Sequence, residues 1–400
     1  MGDVPQMPGG FPNFGNIDLS ELMRMLQAGG TVNMEIARRT AESVAQTNLE
    51  SGEALPDPSA TPDDSRAFDD VVRAVQLAVS DTTGISDTLS LPANCVDRAR
   101  YTRATLDGLT PVLEALGGAL GRDATAGLEG GDPAAMGTEA FFGAMMQQLV
   151  PILLGVWAGT MIGTLSHTAL GQYDLPLPLD GNPELRFVTS NVDAFAEEWS
   201  LPVDELRYAL ALRETVHGAQ RSVPWVRDRL VKLSSNYVSS YDMQNGALQD
   251  QLGDFDPMNP ANAMAQFVDP GQVLEAMRSE RQGPMLEELQ RFVSVLEGYT
   301  DIVVETLGER MVSAHTRIDE ALRRHRLDRG EVTAFVDRLL GLELDREHYE
   351  AGLAFCRGVL DRSEGTFEQL NRLWTSEAMV PTQSELTAPG LWLARIDLPE

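Results

Sequence analysis

Apolar residues recur every three to four positions along most of the chain from Arg66 onward, which is the spacing of one face of an α-helix. The spacing is clearest in five segments, at residues 68–81, 103–120, 203–220, 223–238 and 285–308. Strand patterns are sparse. Only YDLPLP at 173–178 and ELRFVTS at 184–190, separated by LDGNP, indicate a small β-hairpin. The pattern therefore predicts a mainly α fold with one small hairpin.

Breaks in this pattern divide the chain into four parts. Residues 1–16 are rich in Gly and Pro and predict a disordered arm. Two short amphipathic segments, IDLSELMRMLQ and VNMEIARRTAESVAQ, predict N-terminal helices within residues 17–50. The stretch SGEALPDPSATPDDS at 51–65 predicts a flexible linker. Residues 66–400 then form a single helical domain.

One uncharged segment raises the alternative of a membrane helix. Ala140 to Tyr173 contains no Asp, Glu, Lys or Arg, and its most apolar part is about as long as the shortest membrane spans. Three glycines at four-residue spacing indicate a stripe where a neighbouring helix could approach closely: Gly155, Gly159 and Gly163. Pro151 and the lack of basic flanking residues argue against a span. We expect residues 149–165 to form a buried core helix.

Composition narrows the classes of function. The net charge is −29 and the isoelectric point is near 4.5, so the chain should repel nucleic acid and anionic membranes. Two cysteines, Cys95 and Cys356, are too few for a disulfide framework and favour a reducing compartment. The first twenty residues have neither a basic nor an apolar segment of a secretory signal. We expect a cytoplasmic protein that binds neither nucleic acid nor membrane.

The segment RETVH, at residues 213–217, differs by one residue from the zinc-protease motif H-E-x-x-H. In that motif the two histidines, four positions apart, project from one helix face and bind a single zinc ion, while the glutamate reaches a zinc-bound water. Here the first position is Arg213, whose guanidinium stays protonated and has no lone pair for a metal. Ser200 is placed to cap this helix. Taken alone, the segment is more often an ordinary helix face with an ion pair or a hydrogen-bonded histidine.

A second helical segment carries Glu297 and Asp301 in the pattern E-x-x-x-D. Four-residue spacing puts both carboxylates on one face of the helix. By itself such a pair is common and is more often a solvated helix edge.

Six longer stretches, in this order, resemble the actinobacterial zincin-like metallopeptidase family. They are VNMEIARRTA, GVWAGTMIGTLSHTALGQYDLPLP, RFVTSNVDAFAEEWSLPVDELRYALALRETVH, VPWVRDRL, LEGYTDIVVE and LNRLWTSEAMVPTQSELTAPGLWLARID. Members of that family are often labelled hydrolases, and one branch is named for an association with the biosynthesis of a deazaflavin coenzyme. The resemblance extends from about Gly30 to Asp397 and implies a zincin-like helical domain over residues 66–400.

The resemblance also implies roles for individual residues. His217 matches the second zinc-ligating histidine, and Glu214 matches the catalytic glutamate, which acts as general base. Glu297 is the candidate third zinc ligand, and Asp301 the residue that orients the first histidine. Arg213 replaces that histidine, which puts zinc, the implied cofactor, in question. Four other histidines could in principle replace the missing zinc ligand: His167, His315, His325 and His348. A hydrogen-bonded core or surface position is more usual for each of them. Of the four, we expect only His167 to be buried.

Two functions remain open on this reasoning, with a membrane-associated protein well behind them. The first is an active zinc-dependent peptidase or hydrolase that uses Glu214, His217 and Glu297. The second is a non-catalytic binding or scaffold protein with an unknown protein or peptide partner and no bound metal. Catalytic zinc usually takes three protein ligands, so the sequence favours the second. In that case Arg213 should pair with Glu297 or Asp301, because a buried guanidinium needs acceptors.

Overall fold

The computed structural model describes residues 30–126, 136–242, 277–327 and 330–398, with the side chains of 122–149, 327, 331 and 332 left aside. The described part is mainly helical, which confirms the predicted fold class. Its helices are α1 Met34–Ala45, α2 Pro62–Thr83, α3 Arg98–Ala126, α4 Met136–Leu165, α5 Thr189–Glu198, α6 Val203–Ser222, α7 Pro224–Val238, α8 Gln282–Met311, α9 His315–Leu327, α10 Glu331–Leu340, α11 Arg346–Arg362, α12 Gln383–Thr387 and α13 Pro389–Ile396. Short 3₁₀ turns lie at Ser86–Ser90, Leu370–Trp374 and Glu377–Met379.

The predicted hairpin is wrong. Strand β2, Leu185–Val188, pairs in parallel with β1, Ala93–Val96, rather than with YDLPLP. The two prolines of YDLPLP have no N–H to donate to a strand ladder. Instead, the Leu177 N–H donates to the carbonyl of Leu175 at 2.8 Å, and both leucine side chains are buried. A parallel partner 92 positions away leaves no local turn signal, so the sequence pattern could not reveal it.

The N-terminal part is described only from Gly30. The arm at 1–16 and the first amphipathic segment therefore lie outside the described residues, whereas the second segment forms α1, capped by the Asn33 side chain. Within 51–65, the last four residues already belong to α2, which begins with a capping box between Thr61 and Asp64. The Asp57 carboxylate accepts from the N–H groups of Arg98 and Ala99 at the start of α3. The flexibility of this segment stays a prediction.

Residues 149–165 of the uncharged segment lie in the second half of α4. Most residues from 150 to 165 are buried and the rest are half-buried, as expected of a core helix. Its glycine stripe faces α1. A Cβ added to Gly155 would lie 2.5 Å from the Asn33 carbonyl oxygen, and one added to Gly159 would lie 2.4 Å from the Ala37 carbonyl oxygen. The two helix backbones therefore touch. Among the described helices, none is long and apolar enough to cross a membrane.

Helix α6 lies at the centre of the fold. It contacts α2, α5, α7, α8, α9 and β2, and every residue from 209 to 221 is buried. Ser200 does not cap it. With φ 52°, Ser200 instead ends α5: its N–H donates to Glu197 and the Leu201 N–H donates back to Ala196, which is a Schellman arrangement. Helix α6 starts at Val203, after extended Pro202. A helix buried on all sides must find a partner inside the protein for each of its charges.

The contact between α1 and α4 predicts a large effect from one methyl group. Gly159→Ala should lower the free energy of unfolding by about 1–3 kcal/mol, because its Cβ meets backbone that cannot move aside. Gly121→Ala in α3 is the matched control. Outside its own helix backbone, no atom of the described residues lies within 4 Å of its added Cβ, so alanine should be neutral or raise stability by up to about 1 kcal/mol. Urea unfolding of both variants measures this, and equal values would show that the helices do not approach so closely.

Candidate functional site

The residues singled out in the sequence come together where α6 crosses α8. Arg213 and His217 project from one face of α6, and Glu297 and Asp301 project from the facing side of α8. Each pair has four-residue spacing, so each places two side chains one turn apart on the same face. Glu297 and His217 are almost fully buried, with side-chain exposures of 2% and 0%. The site is therefore internal.

Arg213 bridges both carboxylates of α8. Its Nη2 donates to Glu297 Oε2 at 2.5 Å and its Nη1 donates to Asp301 Oδ1 at 2.8 Å. Burial acts against the charge of Arg213, but Glu297 and Asp301 raise its pKa above the ordinary value. Burial likewise acts to raise the pKa of Asp301, while Arg326 and Arg213 together lower it. Arg213 and Asp301 are consequently both charged at neutral pH.

A second arginine, Arg326 of α9, completes the cluster. Its Nη1 lies 3.3 Å from Asp301 Oδ1 and 3.5 Å from Glu297 Oε2. Two guanidinium groups thus face two carboxylates, and their charges balance. The sequence analysis missed Arg326. It lies in the stretch RRHRLDR, where four arginines occur within seven residues, and nothing in the sequence shows which of them turns inward.

The hydrogen bonds of His217 determine which ring nitrogen carries the proton. Its Nδ1 lies 3.2 Å from Arg221 Nη1. Because a guanidinium only donates, Nδ1 must accept, and we assign the proton to Nε2. Burial, followed by the charges of Arg213 and Arg221, lowers the pKa of His217 well below its usual value, so the ring is neutral. The Nε2 atom faces Glu297 Oε1 at 3.6 Å, which is too long for a hydrogen bond.

Glu214 lies apart from this cluster, toward the chain segment that precedes β2. Both of its carboxyl oxygens lie within reach of the Tyr173 N–H, at 3.1 and 2.9 Å. Gly171 provides the space for it, since a Cβ there would lie 2.5 Å from Glu214 Cδ. Burial raises the pKa of Glu214 to about 8, although the Tyr173 N–H acts to lower it. Glu214 is 2% exposed.

None of the other four histidines joins the site. His167 is only half-buried, and its Nε2 lies 2.9 Å from the Val44 carbonyl oxygen. His325 Nε2 lies 3.1 Å from Asp174, and His348 pairs with Asp345 one turn away. His315 packs against Gly308 near the end of α8. The site therefore has a single histidine.

Removing Arg213 should destabilise the fold. Arg213→Met leaves two buried carboxylates with only the longer contacts of Arg326, so the free energy of unfolding should fall by about 3 kcal/mol, the lower end of the range for broken buried pairs. The double variant Arg213→Met/Glu297→Gln should lose at least about 1 kcal/mol less than the sum of the single losses. Denaturant titration measures all three, with Arg66→Met, in an exposed pair, as control. An effect no larger than the control's would contradict a structural role for the cluster.

The raised pKa of Glu214 predicts a pH dependence of stability. Between about pH 5 and 8 the folded protein holds a proton that the unfolded chain, with its ordinary pKa of 4.5, has released. The contribution of Glu214 to stability must therefore fall as pH rises through this window, by about 1.4 kcal/mol for each pH unit. Neutral His217, which the unfolded chain protonates below its ordinary pKa of 6.5, contributes the opposite trend up to that pH, so the comparison with a Glu214 variant is needed to isolate the effect. Glu214→Gln mimics the protonated acid and should be more stable than the wild type at pH 8.5 but not at pH 4.5. Thermal unfolding at both values, with exposed Glu309→Gln as control, decides this; parallel pH profiles would refute it.

Comparison with known proteins identifies a family and a similar fold. A family model for the zincin-like metallopeptidases matches residues 32–393. A solved structure from Chloroflexus aurantiacus, described as a "putative hydrolase with a novel fold", has a TM-score of 0.61 at 20% identity. The structural match covers 92% of this chain and 100% of the solved chain. At this sequence identity the likeness shows the fold alone. A search of curated proteins found no match. Because the family match spans most of the sequence, the chain belongs to the zincin-like metallopeptidase family.

Proposed function

We propose that this chain is a non-catalytic member of its family and acts as a binding or scaffold protein for a protein or peptide partner. The observation that carries the proposal is the Arg213 guanidinium, which stands at the position of the first zinc ligand and donates to both Glu297 and Asp301. A fixed side-chain cation thus lies between the carboxylates that would otherwise face a metal ion.

The family implies zinc, but the side chains here do not fit it. Arg213 has no lone pair to donate, and it engages one oxygen of Glu297. Zinc binding through His217 Nε2 would require a lone pair at that atom, whereas the Arg221 hydrogen bond to Nδ1 keeps the proton on Nε2. Within the described ranges, no group of three or more His, Cys, Asp or Glu side chains could hold a metal ion.

One observation favours the alternative of an active zinc-dependent hydrolase. Glu214, the counterpart of the catalytic glutamate, has a pKa raised to about 8, and shifted pKa values are typical of general acids and bases. Its surroundings argue the other way. Burial causes the shift, and both carboxyl oxygens are directed at the Tyr173 N–H. A general base needs access to a water molecule, and Glu214 is only 2% exposed.

Cellular location and excluded partners rest on composition and form part of the same proposal. Cys95 and Cys356 are both free thiols, which supports the reducing environment of the cytoplasm. The net charge of −29 supports a partner that is neither nucleic acid nor an anionic membrane surface.

Metal analysis tests the proposal directly. The purified protein should contain far less than one zinc per chain and should not cleave peptides. Arg213→His restores H-E-x-x-H and should raise zinc affinity, because it adds a third ligand beside His217 and Glu297. Arg362→His is the matched control, since Arg362 is exposed and donates only to the Gly358 carbonyl. Elemental analysis after dialysis against zinc, with calorimetry, measures both.

Two results would overturn the non-catalytic function. One is near-stoichiometric zinc in the unaltered protein that is lost in His217→Ala. The other is peptidase activity that disappears in Glu214→Gln while the variant remains folded. If Arg213→His binds no more zinc than Arg362→His, even when the nearby cation Arg326 is also replaced by glutamine, the assignment of Glu297 as the former third ligand is wrong.

A further inference from the structure

A pocket of about 480 Å³ lies beside the site, between α3 and the chain segment that leads into β2. Five of its sixteen lining residues are arginines, whereas the whole chain has 31 basic residues in 400. They are Arg100, Arg103, Arg186, Arg221 and Arg227. Only three acidic residues share the lining. In a protein of net charge −29, this pocket is a local concentration of positive charge that favours an anionic ligand.

The five arginines differ in depth. The side chains of Arg100 and Arg103 are 71% and 63% exposed, those of Arg186 and Arg227 are 22% and 21% exposed, and Arg221 as a residue is 2% exposed. The lining thus extends from solvent-exposed guanidiniums to one that is buried. Such a gradient lets a charged ligand be attracted at the surface and held where the local dielectric constant is low.

Arg221 has unused hydrogen-bonding capacity at the buried end. Its Nη1 donates to His217, but its Nε and Nη2 are buried and have no hydrogen-bond partner among the described residues. The Tyr173 ring lies 4.7 Å from the guanidinium carbon and attracts the charge, but a ring face offers no oxygen acceptor.

An unsatisfied buried guanidinium is costly, and burial correspondingly lowers the pKa of Arg221. The four arginines nearer the surface already have acceptors. Arg186 donates to Gln172 and Arg227 to the Gly181 carbonyl. Each of the four also pairs with a carboxylate: Arg100 with Asp97, Arg103 with Glu42, Arg186 with Glu184 and Arg227 with Asp228. The acceptor that Arg221 lacks would have to come from a group that enters the pocket. A planar guanidinium with two free N–H groups matches two oxygens of one carboxylate or phosphate.

We propose that this pocket binds the oxyanion group, carboxylate or phosphate, of a small molecule or peptide, with Arg221 as its buried donor and Arg100 and Arg103 at its entrance. The inference does not depend on whether the neighbouring site binds metal. Arg221 is also the hydrogen-bond donor to His217, so an anion that draws the guanidinium toward the pocket acts directly on the RETVH helix.

Calorimetric titration with inorganic phosphate and with succinate at pH 7 and low salt tests the proposal, with sodium chloride at equal ionic strength as blank. At least one of the two anions should bind saturably at one site per chain, more weakly as salt is added. Arg221→Met should weaken binding at least tenfold. Arg103→Gln, at an exposed position, should weaken it severalfold without affecting folding. Arg73→Gln, an exposed arginine of α2 outside the lining, should bind like the wild type.

The ratio of the two affinities identifies the anion: tighter phosphate binding indicates a phosphorylated ligand, and tighter succinate binding indicates a carboxylate. Absence of saturable binding by both anions would overturn the proposal, as would unchanged affinity in folded Arg221→Met. If circular dichroism shows that Arg221→Met is unfolded, the Arg103→Gln variant decides in its place. If Arg103→Gln then binds the anion as tightly as Arg73→Gln does, the proposal that this pocket binds an oxyanion is refuted.

Discussion

The contact of Arg213 with Glu297 and Asp301 is the interaction on which the centre of this structure depends. Helix α6 is buried on every side over residues 209–221, and the charged groups in that stretch, Arg213, Glu214 and Arg221, are almost completely removed from solvent. The pairing with α8 satisfies one of them and also fixes the register of the two helices, because the guanidinium must reach two carboxylates one turn apart. A buried ion pair adds little net stability over an apolar contact, but losing one partner is expensive. The cluster therefore acts mainly as a constraint on how α6 and α8 meet.

The electrostatics of the cluster follow from that constraint. Two carboxylates one helical turn apart in a protein interior need about two positive charges nearby. In this chain Arg213 and Arg326 supply them from two different helices. Within the described ranges, Glu214 hydrogen-bonds to the Tyr173 N–H and to no cation, and burial raises its pKa. His217 responds by losing its proton. Neighbouring groups on one helix thus reach different protonation states because only some of them have a partner of opposite charge.

Much of this arrangement could be predicted from the sequence, and the parts that could not share a physical cause. The mainly helical fold and the close glycine stripe on α4 depend on periodicity within single helices, which a sequence displays directly. The pairing of Arg213 with Glu297 and Asp301 could be predicted only through the family resemblance, which indicated that a second helix faces the first. Arg326, the parallel partner of β2 and the role of Ser200 depend on which distant segment, or which helix end, lies nearby. Ser200 could have capped α6 or ended α5, and only the backbone conformation with φ 52° distinguishes them.

Because Arg213 and Arg326 contact the same two carboxylates, the identities of these two positions should be coupled in the evolution of the family. Each guanidinium lies within 3.5 Å of both Glu297 and Asp301, so either arginine can partly compensate the two carboxylate charges when the other is absent. A relative with histidine at position 213 would bring a divalent metal ion into contact range of Arg326, and the like charges would repel. Positions 213 and 326 should therefore covary: relatives with an intact metal motif should lack an inward-facing cation at 326, and relatives with arginine at 213 should be free to keep one.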